Sequence, residues 1–147
     1  MAMLLAAQPA LSAGDLLKVG DTVPAIAAKD QHDADFTLGD DVSWLLVAFD
    51  MGTGRAANGW LAKRGAGWLP ENKAVFVSNI HGMPGVGRMF ALPKMRKYPH
   101  RIILADQEGL LDGFPTEKEK VTVFKLGPGR VIEAVSFWAP ADGQRPF

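Results

Sequence analysis

The chain has 147 residues, 48% of them apolar and 22% charged, enough for one domain with a hydrophobic core. Sixteen basic residues balance sixteen acidic ones, so no net charge draws it to nucleic acid or to an anionic membrane. There is no cysteine, which excludes disulfides, thiolate catalysis, Cys-ligated zinc and iron–sulfur clusters.

The opening stretch MAMLLAAQPALSAGD is apolar and rich in small residues. Residues 1–13 resemble the apolar run of a secretory signal, with Ala10 to Ala13 as the cleavage region. The first basic residue is Lys18, so the basic start of a signal is missing. We expect a signal remnant whose start lies upstream; an ordinary helix packed on the domain is the alternative. The run is too short to span a bilayer. The expected location is therefore periplasmic or secreted, with cytoplasmic as the other reading, and residues 14–147 read as one domain.

Beyond Gly14 the pattern is strand-like and short. Pro24 holds Val23 out of the helical region, and DQHDADFTL reads as a polar turn with a return strand ending at Leu38, an N-terminal hairpin. Trp44–Phe49 is a continuous apolar run, as in a strand buried on both faces. Arg55–Leu69 carries Ala57, Trp60, Leu61 and Trp68 near helical spacing, weakened by Gly59, Gly65 and Gly67. Ala74–Ile80 is a second buried-strand run. Pro84 suits the first turn of a helix whose apolar stripe is Val86, Met89 and Phe90, and Pro93 is expected to end or kink it. HRIILAD is strand-like. VTVFKL, GPG and RVIEAVSFW read as a C-terminal hairpin with a three-residue loop, and APADGQRPF has little helix or strand character. Strand and helix alternate through the middle, so Trp44–Phe49 and Ala74–Ile80 are expected side by side and parallel. The fold class is α/β, a mixed sheet with flanking helices and a hairpin at each end.

This order and wording resemble the thioredoxin-like superfamily, its peroxiredoxin branch in particular. VGDTVPAIAAKDQHDADFTL is similar to the peroxiredoxin opening, IILADQEG to a later aspartate-and-glycine turn, and VTVFKLGPGRVIEAVSF to the closing hairpin, over about Lys18 to Phe137. The resemblance implies a thioredoxin-like fold. Its catalytic part does not carry over. Phe49 stands at the family's proline and Ala56 at its peroxidatic cysteine; Thr53 matches, and Lys120 falls near the family's arginine. There is no Cys-x-x-Cys, no proline directly before VTVF and no terminal helix. Gly82 to Asp106 also resembles small bacterial proteins labelled FAD/FMN-containing dehydrogenases, which implies FAD or FMN as an alternative cofactor.

Two strand–glycine–helix junctions, FDMGTGRAANG and NIHGMPGVGRMF, could cradle an anion on free backbone N–H groups. Their spacings match neither G-x-G-x-x-G nor the P-loop, so the competing reading is glycines serving tight turns. Ligands of α/β sheets gather at the carboxyl ends of parallel strands. That places Asp50, Met51, Thr53, Arg55, Asn79 and His81 as the candidate binding site, with Asp50 able to orient His81 for proton transfer. The alternative is that Asp50 and Asn79 cap helices. Lys94, Arg96, Lys97 and Arg101 form a candidate patch for an anion or an acidic partner, or else a solvated helix end. Met83 and Met89 read as core, and Met95 as part of the basic turn. No metal site and no Ser-His-Asp set is evident. The expectation is a cysteine-free, non-redox protein of the bacterial envelope that binds a partner or small ligand, leaning away from an enzyme. A flavin- or nucleotide-dependent oxidoreductase is the alternative.

Overall fold

The computed structural model describes residues 15–147, so the expected signal remnant at 1–13 lies outside the described residues. Strands β1 (Ala27–Asp30), β2 (Asp35–Thr37), β3 (Trp44–Ala48), β4 (Ala74–Asn79), β5 (Ile103–Ala105), β6 (Val121–Leu126) and β7 (Ile132–Trp138) form one mixed sheet. Their order is β2-β1-β5-β4-β3-β6-β7. The two apolar runs lie side by side and parallel as expected, paired from Trp44↔Ala74 to Ala48↔Ser78. β5 continues the parallel set beside β4, and the hairpins β1–β2 and β6–β7 add antiparallel edges.

Helices α1 (Met51–Arg64), α2 (Trp68–Glu71) and α3 (Gly85–Arg96) fill the two crossovers. Because β3, β4 and β5 advance in one direction across the sheet, right-handed crossovers put α1 and α3 on the same face. There Ala57, Trp60 and Leu61 of α1 pack on Leu46, Ala48 and Phe76, and Met95 and Tyr98 close the edge. The opposite face buries Leu45, Val47, Val77 and Phe124 under Val23, Ile26, Leu38 and Phe114, a cluster that includes no residue of the three helices.

Several elements differ from the sequence expectation. The first helix begins at Met51 rather than Arg55, and Gly65, in a left-handed backbone at φ 86°, separates it from the short α2. Pro93 sits inside α3 instead of ending it. The closing hairpin turns over residues 127–131, since its last pair is Leu126↔Ile132, with Gly129 at φ 70°.

The largest correction concerns α3. The stripe expected to face the core is exposed, at 68% for Val86, 70% for Met89 and 71% for Phe90, and no residue of α3 is fully buried. Polar bonds hold the helix instead. Arg88 donates to the Ile80 carbonyl at 3.1 Å, to the Met83 carbonyl at 3.2 Å, and through both terminal nitrogens to Asp106 at 2.6 and 2.5 Å. Met89 is therefore not core; Met83 is half-buried, and Met95 packs against the helical-face cluster.

The C-terminal tail makes one 3-10 turn, Pro140–Asp142. Trp138 Nε1 donates to the Gln144 carbonyl at 2.6 Å, and the Phe147 ring stacks on Trp44 at 4.1 Å between centroids and 4° between planes. Among the described residues no helix is long and apolar enough to cross a membrane. Phe147→Ala is expected to cost about 1–2 kcal/mol, from lost ring burial and stacking. Urea unfolding followed by tryptophan fluorescence measures it, and an unchanged midpoint would show that the tail does not clamp the sheet.

Candidate functional site

The β3–α1 junction is closed by its own side chains. Asp50 is the N-cap of α1, and its carboxylate accepts from Thr53 N at 2.8 Å and from Thr53 Oγ1 at 2.9 Å. A negative group thus already occupies the positive end of the helix. At the end of β4, Asn79 Oδ1 accepts from the His81 backbone N–H at 3.2 Å. The exposed His81 ring faces Asp106, with Nδ1 at 3.9 Å. The proton-transfer pair considered between Asp50 and His81 is therefore not formed: Thr53 holds one partner and Asp106 draws the other. The bond from Arg88 holds the Asp106 carboxyl below its ordinary value, against partial burial, and the charges of Arg88 and His81 lower it further.

The basic segment is also divided. Arg96 Nε donates to the Gln31 carbonyl at 3.1 Å, and Arg101 Nε bonds Asp30 at 2.9 Å. Burial of Asp30 pushes its carboxyl up, but backbone donors at Ala34 and His32 together with Arg101 outweigh that and leave it lowered. Lys97 is the exposed C-cap of α3. Lys94 alone of the four reaches a cavity between the helices.

That cavity is a cleft of about 210 Å³ between α1 and α3, over the carboxyl end of β4. Met51, Arg55 and Asn79 of the candidate set line it, whereas Asp50, Thr53 and His81 do not. Its other lining includes Gly54, Asn58 and Ser78, with apolar walls from Met83, Phe90 and Met95. Ser78 is 4% exposed and Asn58 2%. Among the described residues neither Ser78 Oγ nor Asn58 Nδ2 has a hydrogen-bond partner. A Cβ on Gly54 would sit 3.4 Å from Ser78 Oγ, so the glycine leaves that hydroxyl open to the cleft.

Asn58 and the group behind it escaped the sequence reading. His100 is 1% exposed, and its Nε2 lies 2.8 Å from Asn58 Oδ1. Tyr98 stacks on the ring at 5.4 Å, and the His100 carbonyl accepts from Gln31 Nε2 at 2.7 Å. Burial pushes the imidazole down to about 4, so it is neutral near pH 7. Nδ1 has no partner, which fixes the proton on Nε2: the reverse tautomer would bury an unpaired N–H, costlier than an unpaired acceptor. Asn58 must then present Oδ1 to His100 and Nδ2 outward. The available signal was a lone Asn at helical spacing between Gly54 and Leu61 on the buried side of α1.

No protein-family model matches the chain, and no curated protein matches it. Solved structures do. A peroxiredoxin-like protein from Aquifex aeolicus aligns over 86% of this chain and 80% of its own, at 13% identity and TM-score 0.58. A Chlorobium tepidum protein described as the thiol:disulfide interchange protein DsbE aligns over 87% and 92%, at 15% identity and TM-score 0.61. The chain has a thioredoxin-like fold. Peroxidoxin BcpB from Mycobacterium tuberculosis, at 19% identity, TM-score 0.54 and coverage of 86% and 93%, is similar in the same way. At these identities the likeness is one of fold. In this thioredoxin-like chain the first turn of α1 reads Met51, Gly52, Thr53, Gly54 and no cysteine follows. Ala56 is a half-buried residue of α1, and Lys120 pairs with Glu117 at 3.2 Å before β6. Among the described residues no cluster of three or more His, Asp or Glu side chains could hold a metal.

Two outcomes follow from these bonds. Asp50→Ala should cost about 1 kcal/mol of stability as a lost cap, and His81→Ala within about 0.5 kcal/mol of nothing; urea midpoints separate the two. His100 gives a pH dependence. With a folded value of about 4 against about 6.5 in the unfolded chain, the unfolded state alone takes up a proton between these limits. Stability is complete above pH ~6.5 and declines toward pH 4, by up to about 3 kcal/mol from this group. The slope should be smaller in His100→Gln, most clearly between about pH 5 and 6.5 where the lowered carboxyls of Asp30 and Asp106 contribute little, as read from urea unfolding across that range.

Proposed function

We propose that this chain is a cysteine-free, thioredoxin-like binding protein of the bacterial envelope, which holds a small ligand or a partner's side chain in the α1–α3 cleft without redox chemistry. The observation that carries the reading is the cleft floor. Two nearly buried polar side chains, Ser78 and Asn58, offer groups with no partner among the described residues, and they do so beside a glycine whose added Cβ would come into contact with one of them. Both groups open onto the cleft, and a preformed set of uncommitted polar groups on a cleft wall is available to a ligand or to ordered water. The absence of cysteine removes the thiolate that peroxide reduction or disulfide exchange needs. A flavin fits this cleft poorly: at about 210 Å³ it falls below the ~300–1,000 Å³ of pockets that enclose ligands of drug size.

Gly54→Ala separates a binding role from a packing one. A glycine-to-alanine change inside a helix should stabilise the protein by about 0.5–1 kcal/mol, while the added methyl group narrows access to Ser78. We expect a higher melting temperature together with loss of the hits that a thermal-shift screen of small metabolites returns for the unaltered protein. Hits retained in full by Gly54→Ala would place the site elsewhere. The purified protein should be colourless and should neither consume peroxide nor reduce insulin. A C-terminally tagged chain expressed from its full gene should be released by osmotic shock, and its retention with cytosolic markers would remove the envelope from the proposal.

A further inference from the structure

The polarity of the cleft identifies the chemistry of its occupant. Each of its orienting groups is a donor or can act as one. Asn58 offers Nδ2 because the Nε2–H of His100 claims its oxygen. Ser78 Oγ can donate. Arg55 and Lys94 stand on the facing helices, and neither forms an ion pair among the described residues. No aspartate or glutamate lines the cleft. The Asn79 oxygen is already taken by the His81 N–H, and the uncommitted donors, two cations and no opposing carboxylate suit an anionic acceptor. Most of the remaining wall is apolar, built from Met51, Met83, Phe90 and Met95, with Asn79 and Tyr98 beside them. Methionines adapt to varied apolar shapes. The cleft is small, about 210 Å³, so the apolar part is short.

Spacing supports a single binding surface. Met51, Arg55 and Asn58 lie at i, i+4 and i+7 on one stripe of α1, and Gly87, Ala91 and Lys94 repeat that spacing on α3. Small residues at Gly87 and Ala91 keep the middle of the α3 wall low, and Lys94 stands a turn beyond them.

We propose that the α1–α3 cleft binds a carboxylate carrying a short apolar body, with the carboxylate on Asn58 Nδ2, Ser78 Oγ, Arg55 and Lys94 and the body against the methionines and Phe90. The inference rests on the reading of the cleft as the binding site and adds the class of ligand. Two sources share this chemistry, a free short-chain acid and the C-terminal carboxylate of a peptide that ends in an apolar residue.

An amide NMR titration of the whole chain tests it. The probes are hexanoate and phenylpropionate, an acetylated tripeptide ending in leucine in free-acid and amidated forms, and hexanol and hexylammonium as uncharged and cationic controls. Saturable shifts at Gly54, Asn58, Ser78 and Lys94 are expected with carboxylates and not with the controls or the amidated peptide. Relative affinity of hexanoate and the free-acid tripeptide distinguishes the two sources. Asn58→Asp keeps an acceptor for His100 and turns the cleft-facing donor into an acceptor. It should weaken the best carboxylate by about tenfold or more, as should Arg55→Gln combined with Lys94→Gln, which alters exposed positions and leaves the core intact. Unchanged affinity in both variants overturns the assignment. Shifts at the same amides by hexanol or hexylammonium equal to those by hexanoate overturn the carboxylate and leave the cleft standing. Silence of these amides to every probe overturns both.

Discussion

The parallel pairing of β3 with β4 is the constraint on which the rest of the molecule depends. Leu45, Leu46, Val47 and Ala48 have essentially no exposed surface, and Phe76 and Val77 match them on the neighbouring strand. A strand buried on both faces cannot shift register by one residue without moving every side chain into the opposite packing layer. The ladder from Trp44↔Ala74 to Ala48↔Ser78 therefore fixes where both strands end. It brings the starts of the segments leading to α1 and α3 to the same edge of the sheet. The cleft between those helices follows from strand register more than from any contact the helices make with each other.

Two kinds of packing then support the two ends of α1. At its C-terminal half the support is aromatic: Trp60 meets Trp68 and Trp138 edge-on, at 5.1 and 5.2 Å, and Arg64 lies 3.8 Å over the Trp60 ring. These contacts are large in area and tolerant of small shifts. Toward the cleft the support is polar and directional. Gln31 takes the Ile102 N–H at 2.8 Å and gives a bond to the His100 carbonyl, and His100 meets Asn58. This chain of bonds runs from the turn after β1, under the sheet edge, to the middle of α1. Each link is buried and would be costly to leave unmet, so Asn58 is held in one orientation.

The strands were legible in the sequence because their apolar runs are unbroken and long enough to exclude a surface position. Trp44–Phe49 and Ala74–Ile80 could hardly be anything else, and the alternation around them led to the parallel pair. The α3 stripe was misread for an equally physical reason. Val86, Met89 and Phe90 have the spacing of a buried face, but periodicity reports that a face is apolar, not that something covers it. The bonds that orient α3 come from Arg88 and Arg96, whose partners Ile80, Met83, Asp106 and Gln31 lie in other segments. The cleft was half legible. Strand ends pointed to Met51, Arg55 and Asn79, whereas Ser78 lies inside the apolar run of β4 and Asn58 is one polar residue among apolar neighbours. His100 stood inside a basic segment, where burial could not be seen.

Asp50 occupies the N-terminus of α1 as its cap. A helix N-terminus attracts negative charge, which is why that junction suits a thiolate or a bound anion. Here the cap carboxylate and Thr53 close it with two short bonds, and a second anion at the same point would meet a like charge. The unsatisfied donors lie about one turn and two turns further along: Gly54 opens onto Ser78, and Asn58 follows at the next turn. A negatively charged occupant is thus disfavoured at the end of α1, while Arg55 and Lys94 stand without ion-pair partners among the described residues along the cleft. The thioredoxin-like scaffold retains its sheet and its first helix, and the polar groups that remain open on it face the groove between helices instead of the helix tip.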